Sequence, residues 1–79
     1  MNNYFSLADI IPGETATITD IKLTGGIKRR LQDIGIIEGT KIKCLFKSPL
    51  CDPIAYLVRG AVIAIRCEDS KCITVKLLN

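Results

Sequence analysis

The sequence predicts a mainly β fold: a small five-stranded barrel, one domain over residues 1–79, with a short helix inserted after the first strand. Three observations lead there. Apolar and polar residues alternate with a period of two in several short runs, glycine and proline punctuate those runs at close intervals, and one stretch changes to helical periodicity. With 79 residues the chain is near the lower size limit for a domain that folds on its own core. Its apolar content of 48% includes no Trp, two Tyr and two Phe, so that core has to be aliphatic.

Ser6 to Ile10 reads as one helical turn with Ser6 as N-cap, closed by Pro12-Gly13. Thr15 to Ile21 is rich in β-branched residues and alternates Ala16 and Ile18 against Thr15, Thr17 and Thr19, a half-buried strand. Thr24-Gly25-Gly26 ends it and opens a helix with Ile27, Leu31 and Ile34 on one face and Lys28, Arg29, Gln32 and Asp33 on the other. Gly35 stands where a left-handed C-cap is needed, with Ile36 as the accompanying apolar contact, and Gly39 supplies a turn.

From Lys41 the alternation returns, with Ile42, Cys44 and Phe46 on the inner side and Lys41, Lys43 and Lys47 on the outer. Ser48 to Pro53 contains two prolines and cannot continue the strand. Ile54 to Val58 and Ala61 to Arg66 form a hairpin around Arg59-Gly60. Glu68 to Lys71 is a short polar connection, and Ile73, Val75 and Leu77 alternate with Cys72, Thr74 and Lys76 in a last strand. Short strands at this spacing favour closure, which removes exposed edges, and the arrangement expected is an SH3-like barrel.

Composition narrows the chemistry. There is no His to act as a general base, and no Ser or Cys has an evident activating partner, so the chain reads as a non-enzyme with no catalytic residues. The cysteines are spaced C-x6-C, C-x15-C and C-x4-C, unlike the paired knuckles of structural zinc sites, so neither metal ligand nor cofactor is predicted. By parity with their neighbours Cys44 and Cys67 belong to the core, leaving Cys51 and Cys72 as exposed thiols. The N-terminus lacks a basic segment followed by an apolar one, and the longest uninterrupted apolar run, Ala61 to Ile65, is far shorter than the ~20 residues of a membrane helix. A cytoplasmic chain with no membrane insertion is the expectation. The net charge of +3 is compatible with a mildly acidic partner and modest for a nucleic-acid binder.

The helix ending in Arg29-Arg30-Leu31-Gln32-Asp33-Ile34-Gly35-Ile36-Ile37-Glu38-Gly39-Thr40 is followed by the loop Ser48-Pro49-Leu50-Cys51-Asp52-Pro53, then Val58-Arg59-Gly60 and Ile63-Ala64-Ile65-Arg66. In this order, and over about Leu7 to Leu77, the chain resembles the ferrous iron transport protein A (FeoA) family. The resemblance implies a small cytosolic SH3-like protein that works beside a large membrane ferrous-iron permease carrying a cytosolic GTP-binding domain. The same domain type is also found fused to metal-dependent transcription regulators, and the absence of room for a DNA-binding domain favours the stand-alone accessory. One departure is Cys51, where the family often has Gly; if the position needs positive φ, Cys is costly there.

The expected partner contacts are Arg29, Arg30, Leu50, Asp52, Tyr56 and Arg59. Arg30 sits at the edge of the apolar stripe, where it can pack its stem and present its guanidinium. Leu50, in its proline-bounded loop, either folds back on the core or anchors in a partner groove, supported by Tyr56 and Arg59, residue types enriched at interface hot spots. An Arg beside a GTPase invites comparison with an arginine finger, by analogy alone. Two other readings are a nucleic-acid-binding barrel using the lysine-rich strand, and a cysteine-based metal or redox sensor that would need Cys51 and Cys72 close together.

Overall fold

The computed structural model describes residues 4–50 and 53–78. The β-branched run forms strand β2 (Thr15–Ile21), the lysine-rich alternation forms β3 (Lys41–Lys47), the hairpin is β4 (Ile54–Val58) and β5 (Ala61–Ile65), and the last strand is β6 (Ile73–Leu77). The helix after β2 is α1 (Gly25–Asp33). To these five predicted strands the structure adds a sixth, β1 (Tyr4–Ser6), which pairs with β6 through Phe5↔Val75. All neighbours are antiparallel, in the order β1-β6-β2-β3-β4-β5. The antiparallel sheet is the SH3-like arrangement expected, but the expected closure is incomplete, because among the described residues β1 and β5 do not pair and remain its two edges.

The first corner is made as the sequence suggests. Ser6 has extended backbone and its Oγ accepts from Ala8 N–H, starting a 3₁₀ turn over Leu7–Asp9 that drops Leu7 into the core. At the far end of α1, Gly35 N–H donates to the Gln32 carbonyl and Ile36 N–H to the Leu31 carbonyl, at 3.0 and 2.8 Å. With Gly35 at φ +100, this is a complete Schellman cap, and its apolar pair, Leu31 and Ile36, is buried. The cap turns the chain back into the core, where Ile36 meets Ile18, Ile42 and Val58 in one cluster.

One irregularity corrects the sequence reading of β3. Cys44 faces Tyr56 but Phe46 faces Ala55, so Leu45 is an extra residue and the strand bulges. Beyond a bulge the alternation inverts. Phe46, expected beside Ile42 and Cys44, points outward and is 58% exposed. Lys47, expected on the outer face, turns inward over the top of the barrel, and its ammonium donates to the Ala8 carbonyl at 2.9 Å. The lysine-rich outer face is therefore reduced to Lys41 and Lys43. The polar connection after β5 is likewise more ordered than expected: Cys67–Ser70 is a helical turn, α2, which buries Ser70 completely.

Tyr56 is the largest fully buried side chain and lies in the barrel, not on its surface, which corrects its expected role as a partner contact. Its hydroxyl donates to the Leu7 carbonyl at 3.3 Å and shares a hydrogen bond with Ser70 Oγ at 3.1 Å. Ser6 Oγ in turn donates to the Ser70 carbonyl at 3.3 Å. One phenol thus ties β4 to the 3₁₀ turn and to α2. Burial pushes Tyr56 up to about 12, against an ordinary value of 10. Because the folded value lies above the unfolded one, the neutral phenol's contribution is present below pH 10 and is lost as pH rises from 10 to about 12. The loss expected is on the order of 2–3 kcal/mol. It is measured as the fall in urea midpoint over that window relative to Tyr56→Phe, whose curve should lack it.

Candidate functional site

β4 and β5 are joined through Arg59 and Gly60 alone, with Val58 opposite Ala61. Both turn residues have positive φ, 51° and 83°, so the turn is type I′. Among the described residues Arg59 is the one non-glycine in that region. An L-residue pays roughly 1 kcal/mol to sit there, and Asn or Gly would be the usual occupant. An Arg in this position projects a long cation from the tip of the hairpin. Its stem is guided by α1: a Cβ placed on Gly35 would lie 3.4 Å from Arg59 Cδ and 3.8 Å from Nε. Glycine at the helix cap accepts φ +100, and the arginine stem passes within ordinary van der Waals reach of it. Replacing Arg59 by Asn should raise stability by about 0.5–1 kcal/mol, read as a higher urea midpoint, because the turn then carries its preferred pair.

Arg59 shares a depression of about 250 Å³ with Lys41, Lys43, Thr15 and Leu57. Arg29 and Arg30 are exposed on α1, and Arg30 lines a second groove of about 250 Å³ between that helix and β5. The ion pair found among the described residues is Arg66–Glu68, at 3.9 Å and well exposed. These arginines therefore present charge outward.

At the opposite end of β4, Ser48 closes the neck of the proline-bounded loop. Its N–H and its hydroxyl both donate to the Pro53 carbonyl, at 3.3 and 2.9 Å. Leu50, on that loop, is 89% exposed, the most exposed of the large apolar side chains described. Of its two expected outcomes, folding back is thereby ruled out. Asp52 and Cys51 lie outside the described residues. Leu50 and Arg59 are not brought together: the length of β4, about 17 Å, separates loop from turn.

What joins them is a strip that sequence reasoning missed. The register places Phe46, Ala55 and Ala64 in one row and Lys43, Leu57 and Val62 in the next, all on the outer face of the sheet. Phe46 and Val62 are 58% and 65% exposed. The bulge at Leu45 exposes Phe46, and no alternation in the sequence reveals it. Tyr56, by contrast, could have been placed from its parity with Ile54 and Val58, both of which are buried.

The thiols offer little chemistry here. Cys44 is buried and burial pushes its thiol above the ordinary value, the nearby Lys47 opposing the shift. Cys67 packs half-buried against the core, and the half-buried Cys72 thiol donates to the Glu68 carbonyl at 3.6 Å. Among the described residues no three His, Cys, Asp or Glu side chains converge on a metal-sized site. No helix among them is long and apolar enough to cross a membrane.

Comparison with known proteins places this geometry. The FeoA domain profile matches residues 5–77. A curated relative, the Fe(2+) transport protein A/Fe(2+) transporter FeoB fusion protein of Porphyromonas gingivalis, is 27% identical over 73 residues. The match takes in 92% of this chain and only 9% of that protein's length. The solution structure of the FeoA protein from Chlorobium tepidum superposes with a TM-score of 0.90 at 32% identity, over 95% of this chain and 71% of that one. The zinc-complexed FeoA of Stenotrophomonas maltophilia, described as a prokaryotic SH3 domain protein, shares the fold with a TM-score of 0.77 at 22% identity, over 91% and 89% of the two chains. The chain belongs to the FeoA domain family.

Proposed function

We propose that this protein is a non-enzymatic cytoplasmic accessory of ferrous iron transport that docks on the cytosolic part of a membrane ferrous-iron transporter carrying a GTP-binding domain. The observation that carries the reading is the Porphyromonas gingivalis fusion, in which a domain like this one and the FeoB transporter are a single polypeptide. Fusion holds two modules at high effective concentration, an arrangement that is useful when the separate parts bind weakly.

The outer strip of β3–β5 suits such a contact. It has an exposed apolar centre at Phe46 and Val62, an apolar anchor at Leu50 on one end, and the Arg59 cation on the other. Arg29 and Arg30 extend the basic side across α1, and Asp52 completes the proposed set from the loop. A surface with few anchors and several rim charges gives a salt-sensitive, micromolar complex. The experiment is co-purification of the tagged chain with the full-length FeoB-type transporter in detergent, at low and high salt. Retention at low salt that is lost at high salt supports the docking role. Absence of retention at any salt would count against it.

A further inference from the structure

The run singled out as the longest apolar stretch, Ala61 to Ile65, is strand β5, and β5 is an edge of the sheet. It pairs with β4 along one side and with no other strand among the described residues. Natural proteins blunt such edges with lysine, proline, bulges or shortness. The opposite edge, β1, uses the last of these, having three residues. β5 has none: it is five residues of Ala, Val and Ile, in unbroken register with β4.

The register also fixes which backbone groups are on offer. In a two-residue hairpin the pair closing the turn, Val58 and Ala61, is hydrogen-bonded, and bonded pairs then alternate. Ala61, Ile63 and Ile65 therefore turn their N–H and C=O groups to β4, while Val62 and Ala64 turn theirs to the open side. A groove between α1 and the C-terminal end of β5, at Ala64 and Ile65, adjoins this edge. Ile27, Leu31 and Ile34 form its apolar wall, and Arg30 and Arg66 stand on its rim with Asp69. Ile34 is 44% exposed there, although it lies on the helix's apolar face. The Arg66–Glu68 contact, at 3.9 Å between side chains 74% and 76% exposed, leaves Arg66 available to another carboxylate.

We infer that the β5 edge and the adjoining α1 groove form a strand-addition site for an extended segment of another polypeptide, with apolar residues facing the groove and carboxylates meeting Arg30 and Arg66. A second copy of this chain is the less suitable occupant. Antiparallel self-pairing about Ile63 would bring Arg66 of each chain opposite Gly60, next to Arg59, of the other, at both ends and between chains of +3 charge. The site shares Arg30 with the proposed docking residues but does not depend on that reading, because its test uses a peptide and no transporter.

The test is a ¹⁵N-NMR titration of the full chain with a strand-length synthetic peptide that alternates valine with glutamate and threonine. Saturable shifts are expected at Val62, Ala64, Ile27 and Ile34, with slowed hydrogen exchange of the Val62 and Ala64 amides. Replacing the peptide's glutamates by lysine, or using the Arg30→Glu/Arg66→Glu chain, should weaken binding about tenfold, since rim charge selects the partner. Ala64→Pro removes an outward donor without touching the β4 ladder and should abolish binding while the rest of the spectrum persists. Shifts centred elsewhere, equal binding of the lysine peptide, no saturation in the millimolar range, or a dimer through β5 in place of peptide binding would each overturn the inference.

Discussion

Tyr56→Ala is expected to lower the stability of the domain severely, by far more than any surface substitution. Truncating a fully buried aromatic costs about 3–5 kcal/mol, the sum of lost transfer energy and the cavity left behind. A chain of 79 residues has on the order of 4–12 kcal/mol in all, so one such loss removes much of its stability. The damage extends beyond packing. Among the described residues, Tyr56 is the only link from the β4 side to both the Leu7 carbonyl and Ser70 Oγ, and Ser70 is wholly shielded from water. Tyr56→Phe separates the two contributions: it keeps the ring and strands the Ser70 hydroxyl, at about 1–2 kcal/mol. Urea unfolding of the two variants measures both, and shifts no larger than those of a surface substitution would refute the role given to Tyr56.

Gly35→Val is expected to cost about 2–4 kcal/mol, because a β-branched residue at positive φ is a severe backbone outlier and the new side chain also meets a neighbour. Gly35 has φ +100, and even a bare Cβ would lie 3.4 Å from Arg59 Cδ and 3.8 Å from Val58 Cγ1. The two helix-cap bonds, Gly35 to Gln32 and Ile36 to Leu31, depend on the same geometry. Gly39 offers a comparison, with φ +90 and nothing within 4 Å of the point a Cβ would occupy, so Gly39→Val should cost less. Thermal unfolding of the pair checks this, and equal losses would show that Arg59 does not rest on the cap.

Most of the fold was legible because its elements obey local rules. The alternation of Ala16 and Ile18, and of Ile73 and Val75, marks strands whose inner residues are indeed buried. The helix ends at the glycine that positive φ requires, and Ser6 caps the turn it precedes. What was not legible depends on register and length. Tyr4–Ser6 is too short to show a period and becomes a strand only by pairing with β6. The bulge at Leu45 exchanges the faces of Phe46 and Lys47, and a period-two reading carried through it assigns both to the wrong side. Of the expected contact residues, Arg29, Arg30, Leu50 and Arg59 are at the surface and Tyr56 is in the core.

The proposed docking on a transporter uses the strip bounded by Leu50 and Arg59. Arg59→Asn is the informative variant, since it relieves the turn and should stabilise the fold, so that weaker binding cannot be attributed to unfolding. The most direct measurement is calorimetric titration of the GTP-binding domain of a FeoB-type transporter with the parent chain, Leu50→Ala and Arg59→Asn. Docking through this strip gives saturable micromolar binding by the parent, weakened about tenfold by each substitution, as expected for interface anchors. Binding of all three chains with equal affinity, or of none, would contradict it.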